Sequence, residues 1–259
     1  EWEEVGVSTN SMSRDDYIET RKFIFLIEVL YNSKIFRELE FLLEDYKLSY
    51  YDFVFFVYRN IENFPKDIKN VMESVIKLSF SELKDSEEEA TKYYSNENNF
   101  KKIEEGEEGN NLKFIHKALL MSKYQDSWLN FVFSSLKKFL EANNVEINED
   151  YHDVITFTKC KYDRILDLTN HVPIDSLFNY DVINWIRQED RTKSLKEFMT
   201  KDKVKIKFLY NKYQIAKREY LFKKFKENTK LNLANIIYRF KPQHKILRNY
   251  EYVEPTSYS

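Results

Sequence analysis

A chain of 259 residues is long enough for one large domain or two small ones, and 42% hydrophobic with 32% charged residues supplies both a core and a solvated surface. Only three glycines and four prolines argue against a Gly-rich phosphate loop, a many-turned β fold and a linker array, since tight turns and positive φ ordinarily draw on glycine. The net charge of −2 conceals an imbalance: residues 191–250 hold 18 Lys and Arg against four Asp and Glu, so the remainder is acidic.

Cys160 is the single cysteine, so no disulfide forms within the chain, and a reducing, cytoplasmic setting is expected. No apolar run approaches the roughly 20 residues that span a bilayer, so no membrane association is expected. Glu1 is not an initiator methionine, and Trp2 to Ser8 lacks signal-peptide character, which suggests a piece of a longer chain.

In chain order, Glu4 to Ser8 is β-compatible and reads as a short strand. Ser13 followed by Asp15 and Asp16 is a helix start, leading into a helix apolar nearly all round from Tyr17 to Leu30. Such a helix, left without a covering partner, predicts an exposed apolar patch through which the chain would dimerise. Asn32-Ser33 breaks it. Ile35, Phe36, Leu39, Leu42, Leu43 and Tyr46 then form one helical stripe. Ser49 is positioned to cap an apolar segment from Tyr50 to Tyr58, and beyond Pro65 the residues Ile68, Val71, Met72, Val75 and Ile76 keep helical spacing. Residues 1–80 thus read as a strand plus a packed helical layer.

Residues 81–110, with ten acidic and four basic side chains, read as an acidic solvated linker, loop or frayed helix. Residues 111–190 read as a helical domain: one long helix from Leu112 to about Ala142, another over Tyr151 to Leu168, and a third starting at Asp175 or Asn179 and running through Trp185. Residues 191–259 read as a basic α+β segment. Lys203 to Leu209 alternates charged and apolar residues as a half-exposed strand does, Ile215 to Phe225 is helical, and Asn235 to Phe240 and Leu247 to Val253 are candidate strands. The fold class expected is mainly α: a multi-helix, bundle-like array with a short N-terminal strand and a small antiparallel sheet near the C-terminus.

No catalytic motif is complete. Glu104/Glu105 and Glu107/Glu108 lie where little would bury or tune them. His116, His152, His171 and His244 lack metal-ligand spacing, and His152 and Cys160 would sit about 12 Å apart along one helix. No nucleophile elbow, P-loop or G-x-G-x-x-G is present. The basic segment interleaves cations with the aromatics Phe208, Tyr210, Tyr213, Tyr220, Phe222, Phe225, Tyr238 and Phe240, the combination that single-stranded nucleic-acid binders use, although aromatics are common throughout this chain. Lys203, Lys205, Lys207, Lys223, Lys224 and Arg239 are its candidate partner-binding residues, for an acidic partner or nucleic acid. A solvated surface over an ordinary core, with the basic end docked on the acidic body, explains the same charges.

Val5-Gly6-Val7-Ser8-Thr9-Asn10-Ser11-Met12-Ser13-Arg14-Asp15-Asp16-Tyr17 resembles the stretch leaving the catalytic barrel in radical S-adenosylmethionine proteins of the cobalamin-binding-domain type. Tyr31-Asn32-Ser33, and Phe178-Asn179-Tyr180-Asp181 with Trp185, are also similar. The resemblance covers about the first 45 residues and implies an accessory C-terminal helical region, inactive alone, packed on an upstream barrel. It implies that the [4Fe–4S] cluster, S-adenosylmethionine and cobalamin belong to that upstream part, because one cysteine cannot supply the family's C-x-x-x-C-x-x-C loop. Ser8, Thr9, Asn10 and Arg14, just after a barrel strand, would border the parent's site.

Overall fold

The computed structural model describes residues 10–105, 108, 112–162, 171–226, 230–240 and 243–253. The expected strand at Glu4–Ser8 lies outside the described residues.

Ser13 opens α1 (Arg14–Ile27) as the sequence predicts: its hydroxyl accepts from the Asp16 N–H, and the Asp16 carboxylate accepts from the Ser13 N–H. The helix widens into a π turn over Glu28–Asn32. Next come α2 (Arg37–Asp45), α3 (Tyr50–Arg59), capped by Ser49, and α4 (Lys66–Ser81), which starts directly after Pro65. In the acidic stretch, Ser86 caps α5 (Glu87–Tyr94) and Asn96 caps α6 (Glu97–Glu104), two short and largely exposed helices.

The single long helix expected from Leu112 to Ala142 is two: α7 (Leu112–Met121) and α8 (Gln125–Ala142). The Ser122 hydroxyl donates back to the Ala118 carbonyl, and the Tyr124 N–H turns onto the Leu119 carbonyl, which ends α7. A buried α9 (Glu149–Tyr162) follows. Where a helix beginning at Asp175 or Asn179 was expected, the chain forms β1 (Ile174–Tyr180), and the helix comes later as α10 (Val182–Ile186), capped by Asp181. Phe178 and Tyr180 alternate inward there, a period of two that propensity alone does not reveal in so short a run.

The charged alternation does form a strand, β2 (Met199–Leu209), followed by α11 (Lys212–Phe225), capped by Asn211. Asn235–Phe240, expected as a strand, belongs mostly to α12 (Lys230–Tyr238). Ala234, Ile237 and Phe240 are buried at three-residue spacing, and α12 packs on α7 and α11, so tertiary packing overrides the β-branched pair Ile236-Ile237. The last strand, β3 (Asn249–Tyr252), completes an antiparallel sheet ordered β1-β2-β3.

Phe178 and Phe208 on the inner face of this sheet meet Phe157 of α9 edge-on, with ring centroids 5.9 and 5.1 Å away. Buried side chains from Phe25 to Leu247 join in one hydrophobic cluster, with α2 against α9 and α3 and α4 against α8. Two helices close through a left-handed residue that is not glycine. Lys47 after α2 and Asn144 after α8 each take φ of 58°, while Leu48 N–H reaches Leu43 O at 2.8 Å and Val145 N–H reaches Leu140 O at 2.9 Å. Both are Schellman closures built on residues that carry a Cβ.

Candidate functional site

Three groups stand out among the cations of the basic segment. Some are built into the fold: Arg191 lies 3.4 Å from Asp45 and 3.9 Å above the Phe41 ring, and Lys196 stands 3.9 Å from Asp150. Arg218 and Arg248 are buried on Tyr210, at 4.2 and 4.8 Å from its ring centre. The three arginines are covered in these contacts, whereas the Lys196 side chain stays more than half exposed.

A second group lies on β2. Strand alternation turns Val204, Ile206 and Phe208 toward the core and Lys203, Lys205 and Lys207 outward. Lys205 pairs with Asp175 of β1 at 2.8 Å. Lys207 is in register with Asp175 on one side and Glu251 on the other. Two of these three candidate lysines are therefore flanked by carboxylates from neighbouring strands.

The third group lies on α11. Gln214, Arg218, Leu221 and Phe222 form its buried side. At 100° per residue, Lys212, Tyr213, Ala216, Lys217, Tyr220, Lys223 and Lys224 fall within a sector of about 140° on the other side. Tyr213 is 68% exposed and Tyr220 60%, unusual values for large aromatic rings, and they stand about 10 Å apart along the axis. The Lys217 ammonium lies 5.7 Å from the Tyr213 ring and that of Lys224 lies 5.8 Å from the Tyr220 ring. Among the described residues, Lys212, Lys217, Lys223 and Lys224 form no salt bridge, and Glu219 is the one acidic residue of this helix. Lys223 and Lys224 were legible as candidates. Lys212, Lys217 and the paired tyrosines join them only once the phase of the helix is known.

The other predicted positions do not converge with this face. Ser8 and Thr9 lie outside the described residues. Asn10 is exposed in a turn, and Arg14 reaches Asp85 at 3.3 Å. Arg239 is exposed just beyond α12. His116 is buried, its Nε2 2.8 Å from the Ser74 hydroxyl, and Cys160 is half-buried against the core. Among the described residues no three His, Cys, Asp or Glu side chains are grouped to hold a metal ion. One cysteine does not fit the three-thiolate loop of the implied cluster.

Buried charges elsewhere act as fasteners. Asp45 accepts from the Trp185 indole N–H at 2.8 Å and the Leu195 N–H at 2.6 Å, tying α10 and the chain before β2 to α2. Burial pushes its pKa above the usual carboxylate value, while those donors and Arg191 pull the other way. Asp153 of α9 accepts from the Asn179 and Tyr180 N–H groups at 2.6 and 3.0 Å and is likewise raised, burial again being the main cause. Lys161 donates to Glu38 in the core, and Lys117 donates to Glu28 at 2.7 Å. Burial lowers the Lys117 pKa, with Glu28 opposing. Each of these groups holds two elements together.

No family model matches the chain, and neither a curated protein nor a solved structure matches it significantly. Among the described residues no helix is long and apolar enough to cross a membrane.

Proposed function

We propose that the chain is a non-enzymatic binding module whose α11 face engages single-stranded nucleic acid. The supporting observation is the conjunction on one helix side of four lysines that form no ion pair among the described residues and two tyrosines exposed by more than half. Lysines supply the sequence-independent attraction to phosphates, and exposed rings stack on unpaired bases. A docked basic end would have neutralised these lysines internally, as happens to Arg191 and Lys205. The test is fluorescence anisotropy with a labelled oligothymidine, against polyglutamate of equal charge. Saturable binding at low salt that weakens linearly in log–log form as salt rises, and is tighter for the oligonucleotide, supports the proposal. Indifference to the oligonucleotide at low salt overturns it, and preference for polyglutamate reassigns the face to an acidic protein.

A second reading makes the chain the accessory C-terminal region of a radical S-adenosylmethionine, cobalamin-binding-type enzyme, shielding the parent's site and inactive alone. Besides the N-terminal resemblance, an aromatic ledge beside α1 favours it. Ile24 is 41% exposed and Tyr51 is 59% exposed, with the Tyr51 ring stacked on Phe55 and edge-on to Phe23. An upstream barrel would cover that ledge. A reading frame upstream of Glu1 without C-x-x-x-C-x-x-C would sink this reading.

A further inference from the structure

Phe53, Val54 and Val57 bury one side of α3 in the core, and the opposite side carries large rings as well. At 100° per residue, Tyr51, Phe55, Arg59 and Asp52 fall within a sector of about 100° on that outer side. Tyr51 is 59% exposed and its ring stacks on Phe55, which stacks in turn on Tyr58, with centroids 6.2 and 6.0 Å apart. Phe23 of α1 meets all three edge-on at 5.3 to 5.9 Å, and Ile24 next to it in sequence is 41% exposed. Exposed apolar residues scattered singly need no explanation, but a ladder of touching rings across two helices is an unpartnered face.

The charges at its ends indicate what covers it. Asp52 lies in the first turn of α3 and Arg59 in the last, both are exposed, and the Arg59 guanidinium rests 4.4 Å from the Phe55 ring centre. The two stand about 10 Å apart along the axis. Neither forms an ion pair among the described residues. A two-fold axis passing near Phe55 runs two copies of α3 antiparallel, which brings Asp52 of each to Arg59 of the other and Phe55 onto Phe55. The face is thus complementary to itself, acid, ring and base read against base, ring and acid. A different protein would need the reverse order of charges at that same spacing, whereas a second copy supplies it by symmetry.

The rings with their charged flanks offer about 500 Å² per copy, or roughly 1,000 Å² in a pair, the lower limit for specific association. We infer that the chain forms a weak isologous dimer through the outer face of α3 and the adjoining side of α1. This interface uses none of the α11 residues, so either assignment can fail alone. It also gives to a second copy the ledge that the radical-enzyme reading gives to an upstream barrel.

The test is sedimentation velocity of the full chain from about 10 µM to 1 mM, a range over which an interface of this area should pass from monomer to dimer. Tyr51→Ala, Asp52→Arg and Arg59→Asp should each weaken the dimer by about tenfold or more. Asp52→Arg combined with Arg59→Asp restores both pairs across the axis and should dimerise within about threefold of wild type. An equimolar mixture of the two single charge variants should dimerise likewise. A role for the two charges confined to the helix ends predicts no such rescue, because the swap sets both against the helix dipole. A chain that stays monomeric throughout that range overturns the inference. So does a dimer that Tyr51→Ala leaves unchanged, or a double variant no tighter than the single ones.

Discussion

On β2 and on α11 lysines recur along one face, and the two faces differ in what lies beside them. A strand has fixed neighbours on both sides, and β1 and β3 bring Asp175 and Glu251 alongside Lys205 and Lys207. A surface helix has only its own preceding and following turns, and on α11 these supply Tyr213 and Tyr220 but a single Glu219. A run of positive residues therefore does not locate a binding face by itself. The side chains one strand over, or one turn along, decide whether the charge remains available.

The largest expected effect comes from stripping α11. Replacing Lys212, Lys217, Lys223 and Lys224 with Gln should weaken oligothymidine binding by about several hundredfold near 0.1 M salt, and flatten the salt slope by about 3, as anisotropy would read. Tyr213→Ala and Tyr220→Ala should each cost about tenfold on single strands, with little change on duplex and none in melting temperature. The comparison can be inverted by Asp175→Asn with Glu251→Gln. Freed of carboxylates, β2 should gain about fivefold in oligonucleotide affinity, roughly one added phosphate contact. Smallest of all, Lys203, Lys205 and Lys207 changed together to Gln should alter wild-type affinity by less than about threefold. If that variant loses as much as the α11 variant, cross-strand neutralisation is the wrong account of the difference.

Legibility in the sequence followed locality. Ser13 and Ser49 mark helix starts through side-chain bonds three residues on and Pro65 through its fixed φ and missing N–H, and all three fall where expected. The alternation of β2 was also readable, because a half-exposed strand writes its own pattern. What was missed depends on distant partners. Strand β1 exists because β2 pairs with it, and α12 is a helix because α7 and α11 receive its apolar side. The break at Ser122 rests on one hydroxyl turning back to the chain, an alternative open to any serine. At the candidate site, Lys223 and Lys224 stood out as a charged pair. The pairing of Tyr213 with Tyr220, and the carboxylates beside Lys205 and Lys207, needed the helix phase and the sheet register.

The closure at Lys47 leaves room for improvement in this protein. Lys47 holds a side chain where glycine rests without a Cβ clash, a strain of about 1 kcal/mol, whereas asparagine at 144 tolerates the left-handed region. Lys47→Gly thus offers a sturdier host, altered far along the chain from α11, in which even the barest version of that helix can be assayed while folded.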